Sequence, residues 1–587
     1  MIAKRIERRS EALSELTREQ RLNHDALVAA LFRARGEDAA SGRNYSLQAL
    51  ARPEQLGGID RAVALLSEAL SSRQHICIVG DFDADGATST ALLYRCLNAM
   101  GAAKVSYLVP NRFEFGYGLT PEIVALAATH KPDLIVTVDN GISSHEGVRA
   151  AHAAGIKVLV TDHHLPGAEL PEADAIVNPN VPGCAFPSKH LAGVGVIFYV
   201  MLALRSRLRE EGWFEAQQRE VPNLAEFLDL VALGTVADVV PLDHNNRILV
   251  AQGIQRIRAG LCCPGILAIL TVAGRSPEKL GAADFGFAIG PRLNAAGRLD
   301  DMSIGIRCLL CDDAGEAQLL AQELDGLNRE RRAIEHSMQA DAVRELERMD
   351  TSAAAGRSGV CLYQADWHQG VVGIVASRIK DRLHRPVIAF AEASDTEIKG
   401  SGRSIPGIHL RDMLDEVATR HPGLLVKFGG HAMAAGLSID RTEFERFAQA
   451  FDDVVAAHMT EEMRQPVIYS DGALLPDQFT VSLAAAIRDA GPWGQAFPEP
   501  VFDGVFRVLE QRLVGEKHLK MLLSPGEFSQ VMIDAIAFNV DLALWPDQNV
   551  QYIRAAYQLD INEWRGRVSP QLIVSYLEPC RADAQAP

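Results

Sequence analysis

Between residues 75 and 180 short apolar runs alternate with longer amphipathic stretches. The runs are HICIVGD (75–81), VSYLVP (105–110), LIVTVD (134–139), KVLVTD (157–162) and AIVNP (175–179). Near-continuous Val, Ile and Leu marks strands buried on both faces of a parallel sheet. Between them ATSTALLYRCLNAM (87–100), PEIVALAATH (121–130) and EGVRAAHAAG (146–155) read as crossover helices. The pattern predicts an open α/β sheet, whose ligands bind beyond the C-terminal ends of the strands.

A largely helical region is expected over 189–345. It contains FLDLVALGTVADVVPL (227–242) and FGFAIGPRLNAAGRLDD (285–301), the latter read as turn-rich, and closes in a charged helix over 317–349. TSAAAGRSG (351–359) reads as a linker. Strands resume at VCLYQ (360–364) and PVIAFA (386–391), with the helix GIVASRIKDRL (373–383) between them, outlining a second, smaller α/β domain. Beyond Pro466 strand-and-turn segments predict a small β-barrel of OB-like form. The expected boundaries are an N-terminal helical segment at 1–70, a first domain at 71–316, a connecting helix at 317–350, a second domain at 351–462 and the barrel at 466–578.

Composition narrows the class. A chain of 587 residues exceeds one hydrophobic core, and 48% hydrophobic with 23% charged residues describes globular material. MIAKRIERRSEALSELTREQ lacks the apolar core of a signal peptide, and no apolar run approaches the ~18 residues of a spanning helix, so a cytoplasmic protein with no membrane association is expected. Nine scattered cysteines do not form a disulfide framework; Cys308 and Cys311 make a lone CxxC in an apolar helix, read as structural. The net charge of −17 argues at first against a nucleic-acid partner. Acids gathered at a metal centre would be neutralised by its ions, however, and a large enzyme needs only a local basic groove.

The chemistry sits at the strand ends. Asp81, Asp83 and Asp85 follow the first run; Asp139, with Asn140 and Gly141, follows the third; Asp162, His163 and His164 follow the fourth. Taken singly, DFDADG is equally an Asp-rich turn or a fragment of a calcium loop, and a strand-end Asp is equally a helix cap. Three such groups on one sheet edge point to a site. Hard oxygen ligands with one or two imidazoles suit two Mn²⁺ or Mg²⁺ ions better than zinc, and two ions sharing a carboxylate clamp the attacking and leaving oxygens of a phosphoryl group.

GDFDADGATSTAL, VDNGISSH, VTDHHLPG, LAGVGVIFY and ALGTVADVVPL resemble the successive motifs of the DHH phosphoesterase superfamily. GPRLNAAGRLDDMSIG, WHQGVVGIVASRIK, KGSGRSI and KFGGHAMAAG resemble the continuation found in the bacterial RecJ exonucleases, in family order over most of the chain. The resemblance implies that Asp83, Asp85, Asp139, His163 and Asp238 bind the metals, with Asp81 an additional ligand and Asp139 the bridge. It implies a DHH domain, a DHH-associated domain and a C-terminal OB-like domain. Asp162 is expected to fix the imidazole of His163, and His164 to face the phosphate. Asp238, read from its residues alone, is an acid in an apolar helix and equally permits a buried ion pair.

The same resemblance places Arg298, Arg378, Ser401, Arg403 and the Gly429, Gly430, His431 turn across from the metals, as a pocket for a 5′-terminal phosphate. Arg112, with Phe113 and Tyr117, would line the strand path. Arg507, Arg512, Lys517 and Lys520 crowd one barrel hairpin, with Glu510 and Glu516 opposing. The expected activity is 5′→3′ exonucleolysis of single-stranded DNA to 5′-mononucleotides in recombination and repair, beside a single-strand-binding protein and a helicase. The rivals are a DHH phosphodiesterase acting on short oligonucleotides or cyclic dinucleotides, and a non-catalytic DNA-end-binding scaffold.

Overall fold

The computed structural model of the protein describes residues 4–110, 118–348, 356–526, 529–542 and 544–581. Arg112, Phe113 and Tyr117 lie outside the described residues, as does most of the expected linker. By contact the chain divides into two compact units. One runs from Arg35 to Asn328 and takes in Ile487–Glu499; the other gathers the described parts of 1–34, 329–486 and 500–587.

In the unit that begins at Arg35, β1 (His75–Gly80), β2 (Lys104–Leu108), β3 (Leu134–Val138), β4 (Lys157–Thr161) and β5 (Ala175–Val177) form one parallel sheet in the order β2-β1-β3-β4-β5. Helices α1 (Ala84–Ala99), α2 (Pro121–Thr129) and α3 (His145–Ala153) make the crossovers. β1 and β3 are buried at every position, which explains their lack of alternation. After β1 the chain moves outward to β2 and then returns to the other side of β1 as β3. The strand order therefore reverses between β1 and β3, and a crevice opens at their C-terminal ends. Asp81 and Asp139 are the first residues beyond those two strands.

Helices α4 (Gly193–Glu210), α5 (Leu228–Ala237) and α6 (Gly290–Leu299) follow in the same unit. The segment 285–301, expected to be turn-rich, is helical instead: a π-helical turn over Phe285–Ile289 leads directly into α6. Its glycines serve close packing rather than turns, since a Cβ on Gly297 would stand 1.8 Å from the Phe82 carbonyl oxygen. Cys308 and Cys311 are buried and free.

In the other unit, β6 (Val360–Tyr363), α8 (Val372–Leu383) and β7 (Val387–Glu392) form the expected α/β beginning. The connecting helix α7 spans Ala314–Arg348, and the contact division falls within it. Three further strands, β8 (Glu397–Arg403), β9 (Lys427–Gly430) and β10 (Ala434–Asp440), extend the sheet antiparallel in the order β9-β10-β8-β7-β6. Periodicity did not reveal them because β8 to β10 hold five glycines, which carry no apolar signal.

The barrel is closed: β11 (Phe502–Val514), β12 (His518–Pro525), β13 (Ile533–Ala537), β14 (Tyr552–Trp564) and β15 (Arg567–Pro579) join in the order β11-β12-β13-β15-β14. Only β13 and β15 run parallel, as an OB-like barrel requires. The basic hairpin is β11–β12, with Arg512 opposite Lys520. A short strand at Arg5–Arg8 pairs with Val467–Ser470, and Arg8 forms an ion pair with the buried Asp503 at the start of the barrel. No helix among the described residues is long and apolar enough to cross a membrane.

Candidate metal centre

The crevice at the β1/β3 switch collects the strand-end acids. Ligand-capable atoms of Asp81, Asp83 and Asp139 lie within 4.8 Å of one another, as do those of Asp85, His163 and Asp238, and those of Asp139, His163 and His164. Asp139 and His163 each belong to two of these sets. His163 Nε2 lies 3.1 Å from Asp139 Oδ1 and 3.4 Å from Asp238 Oδ2. Asp238 is the first residue past α5 and reaches the cluster from outside the sheet. Its position was not readable from strand ends.

Local backbone explains each placement. Asp83 caps α1, its Oδ1 accepting from Asp85 N at 2.9 Å and Gly86 N at 3.0 Å. Asp85 therefore falls in the first turn of α1 and points inward. Its two oxygens accept from Gly193 N at 2.6 Å and Val194 N at 3.0 Å, at the N-terminus of α4. That helix end offers partial positive charge to the cluster. Gly193 also clears space: a Cβ there would stand 2.6 Å from Asp139 Cβ.

Asp139 adopts φ +62, in the left-handed region that Asp tolerates better than most residues. Asn140 fixes this turn by donating to Val79 O at 3.1 Å and Val138 O at 2.9 Å. Val239, next to Asp238, is also left-handed at φ +61, a costly state for a β-branched residue. Strain on both sides of the cluster is maintained by the surrounding packing.

Asp162 differs from its expected role. Its Oδ1 stands 2.7 Å from His164 Nδ1, so it fixes the imidazole of His164 rather than that of His163. It also accepts the backbone N–H groups of His163 at 2.7 Å, His164 at 3.0 Å and Ile142 at 2.9 Å. The His163 ring faces Asp139 and Asp238. Asn178 and Asn180 hold the carbonyls of His164 and His163 at 2.8 and 2.6 Å. Neither asparagine, nor Gly193, stood out in the sequence as part of the site.

Charge follows from this geometry. Burial, then the neighbouring Asp83, pushes Asp85 up to about 7. Burial, then Asp85 and Asp83, raises Asp139 and Asp238 well above the usual carboxylate range. For Asp162 the cost of burial is outweighed by the His164 imidazole and the backbone donors, which hold the carboxyl low. For His164 burial is likewise outweighed, by the bond to Asp162 and its charge, and the imidazole is raised. Five carboxylates that repel one another around an imidazole form a donor set that fits hard divalent cations.

The remaining expected site residues fall in three places. Arg298 lies in the last turn of α6. Ser401 and Arg403 lie on one face of β8, two residues apart. Ser401 is in register with Gly436, which pairs with Gly429, so β8, β10 and β9 bring Ser401 and the Gly429–His431 turn onto one sheet. Arg403 donates to Ser401 Oγ at 3.1 Å and to Gly402 O at 2.7 Å, and a Cβ on Gly373 of α8 would stand 2.8 Å from its Nη2. Gly430 at φ +141 permits the turn into His431. Arg378, on α8, is five residues from Gly373, about 140° around the helix. It pairs with Glu335 at 2.9 Å.

Fold and donor set together define the DHH class, with a metal centre at the switch point of a parallel sheet. The DHH family N-terminal domain matches residues 75–235, the DHHA1 domain 356–457 and the RecJ OB domain 470–576. The chain is 57% identical to the single-stranded-DNA-specific exonuclease RecJ of Dickeya dadantii, over 94% of this chain and 96% of that one, and 56% identical to that of Escherichia coli over the same shares. The crystal structure of RecJ in complex with Mn²⁺ from Thermus thermophilus matches with a TM-score of 0.77 at 32% identity, covering 94% of this chain and 76% of that one. Its Mg²⁺ complex matches at 0.72 and 30% identity, covering 94% and 75%. The chain belongs to the RecJ family.

Proposed function

We propose that this chain is a 5′→3′ exonuclease that degrades single-stranded DNA to 5′-mononucleotides, using two divalent ions, Mn²⁺ or Mg²⁺. The observation that carries the reading is the overlap of three donor sets at Asp139 and His163, which suits two ions sharing one carboxylate. Asp81, Asp83, Asp85, Asp139, His163 and Asp238 would hold them. When bound, the ions supply Lewis-acid stabilisation of the phosphoryl oxygens and activation of water.

The chain's own residues do the rest. Asp162 accepts the Nδ1–H of His164 and raises the imidazole, so that the imidazolium would donate from Nε2 to charge developing on the phosphate. The N-terminus of α4 fixes Asp85 through two backbone donors, so that its remaining lone pairs stay aimed at the cluster. Arg403, Ser401 and the Gly429, Gly430, His431 turn would take the 5′-terminal phosphate, and Arg298 in its own unit would offer positive charge to the strand, as would Arg378. A single-strand-binding protein and a repair helicase are the partners that fit such an activity.

A DHH enzyme for short oligonucleotides or cyclic dinucleotides would share the metal centre. The closed barrel after residue 466 speaks against that reading, since so small a substrate gives it no use. The test is digestion of single-stranded and duplex DNA with Mn²⁺, Mg²⁺ or chelator. Mononucleotide release from single strands alone, stopped by chelator, is expected. Release in chelator, or preference for cyclic dinucleotides over long strands, refutes the proposal.

A further inference from the structure

β4 ends at Thr161, so the His163–His164 dipeptide lies beyond the sheet ladder. Each of its backbone polar groups nevertheless has a side-chain partner. Asp162 accepts the two N–H groups, at 2.7 and 3.0 Å. The carbonyl of His163 accepts from Asn180 Nδ2 at 2.6 Å, and that of His164 from Asn178 Nδ2 at 2.8 Å. The amide of Asn178 cannot be turned round, because Asn180 N donates to its Oδ1 at 2.7 Å. Asn178 is buried and is the first residue beyond β5. Three side chains from the loops after β4 and β5 therefore fix φ and ψ of both histidines, and with them the directions of the rings.

The asparagine turn is itself tied down from a third place. Lys189 Nζ donates to Pro179 O at 2.8 Å and to Cys184 O at 2.7 Å, closing the loop that follows Asn178. Lys189 is exposed, but its neighbours are pinned. Ser188 Oγ donates to Asp243 Oδ2 at 2.6 Å, and His190 O accepts from Asn246 Nδ2 at 2.6 Å. The same segment leads into α4, whose Gly193 and Val194 N–H groups hold Asp85. The two carbonyls act on different peptide planes. That of His163 belongs to the plane between the histidines, so Asn180 governs both rings; that of His164 belongs to the next plane, so Asn178 governs the second ring alone.

We infer that Asn178 and Asn180 are positioning residues for the two histidines, with Lys189 as their anchor. Asn180 aims His163 at Asp139 and Asp238, and Asn178 aims His164 at the phosphate. Neither asparagine needs to touch an ion or the strand. This rests on the proposed two-ion chemistry. A purely structural role for the turn is the competing reading, and it predicts parallel losses in every property.

The experiment measures Mn²⁺ affinity of the DNA-free full chain by isothermal titration, kcat on single-stranded DNA across a Mn²⁺ series, and thermal unfolding. Asn178→Asp keeps the acceptor for Asn180 N and removes only the donor to His164 O. It should lower kcat about tenfold at saturating Mn²⁺, while Mn²⁺ affinity stays within about twofold of the wild type. Asn180→Ala should weaken Mn²⁺ binding about tenfold, and excess Mn²⁺ should restore much of kcat. Lys189→Met, altered at an exposed position, should show a weaker form of both losses. Lys189→Arg, which keeps charged N–H donors, should recover them. Wild-type affinity and kcat in both asparagine variants overturn the inference. So do losses of affinity and kcat that run in parallel in both variants, with a lowered unfolding temperature and no recovery in excess Mn²⁺. If instead the wild type binds no Mn²⁺, the proposed metal chemistry itself has failed.

Discussion

Oδ1 of Asp162 lies 2.7 Å from Nδ1 of His164, and this contact sets the roles of the two adjacent histidines. His164 is tied to a buried carboxylate, whereas His163 is turned toward Asp139 and Asp238. Imidazoles next to each other in sequence therefore have different partners, and under the proposed function His163 would serve a cation and His164 the phosphate.

Replacing His164 by Ala should lower kcat by about 10²–10³-fold, the effect of deleting one preorganised donor to a developing charge. Metal binding, followed by isothermal titration, should change far less than in His163→Ala. Equal losses of metal affinity would assign both rings to the ions. Asp162→Asn should lower kcat by about 10–100-fold through misorientation of His164.

The acid cluster makes the metal-free chain sensitive to pH, with a definite sign. Asp85, Asp139 and Asp238 have folded pKa values above their unfolded ones, so the folded state binds more protons in that window. Their contribution to stability is present at low pH and is lost as pH rises from about 4 toward the raised values, about 7 for Asp85. Thermal unfolding should accordingly show a larger gain from Mn²⁺ at about pH 8 than at about pH 5.5. In chelator at the higher pH, Asp139→Asn should unfold at a higher temperature than the wild type. A lower temperature would mean that Asp139 stabilises the empty fold.

Gly193→Ala should lower activity by about 10²-fold, because the new Cβ would displace Asp139 by a fraction of an ångström to an ångström. The helix should survive, since Ala is a better helix former than Gly. Circular dichroism unchanged from the wild type, with reduced Mn²⁺ affinity, is the expected pair of results. Wild-type activity would show that the loop shifts freely.

Gly373→Ala should weaken discrimination between 5′-phosphorylated and 5′-hydroxyl strands, since its Cβ would press on Arg403 Nη2. The ratio of kcat/KM for the two substrates measures this. A ratio equal to the wild type would remove Arg403 from the phosphate site.

What could be read from the sequence divides along physical lines. Strands β1, β3 and β4 were legible because burial on both faces writes unbroken Val/Ile/Leu runs, and Asp81, Asp139 and Asp162 were legible because they end those runs. β8, β9 and β10 were not, since glycine carries no periodicity, nor was α6, whose glycines imitate turns. Asp238 arrives at the end of a helix rather than of a strand and became visible only through motif resemblance. The exchange of partners at Asp162 depends on a backbone turn between neighbouring residues, and spacing cannot encode which of two adjacent rings it favours. The N-terminal segment joins the unit that holds the barrel through the contact of Arg8 with Asp503, 495 positions apart, which no local pattern announces.

The most direct measurement is a time course on single-stranded DNA labelled at either the 5′ or the 3′ end, with Mn²⁺ present. The account predicts immediate release of the 5′ label as mononucleotide, while the 3′ label stays in a shortening strand until the end, and no release from Asp139→Ala. Early release of the 3′ label, or activity in Asp139→Ala equal to the wild type, would contradict it.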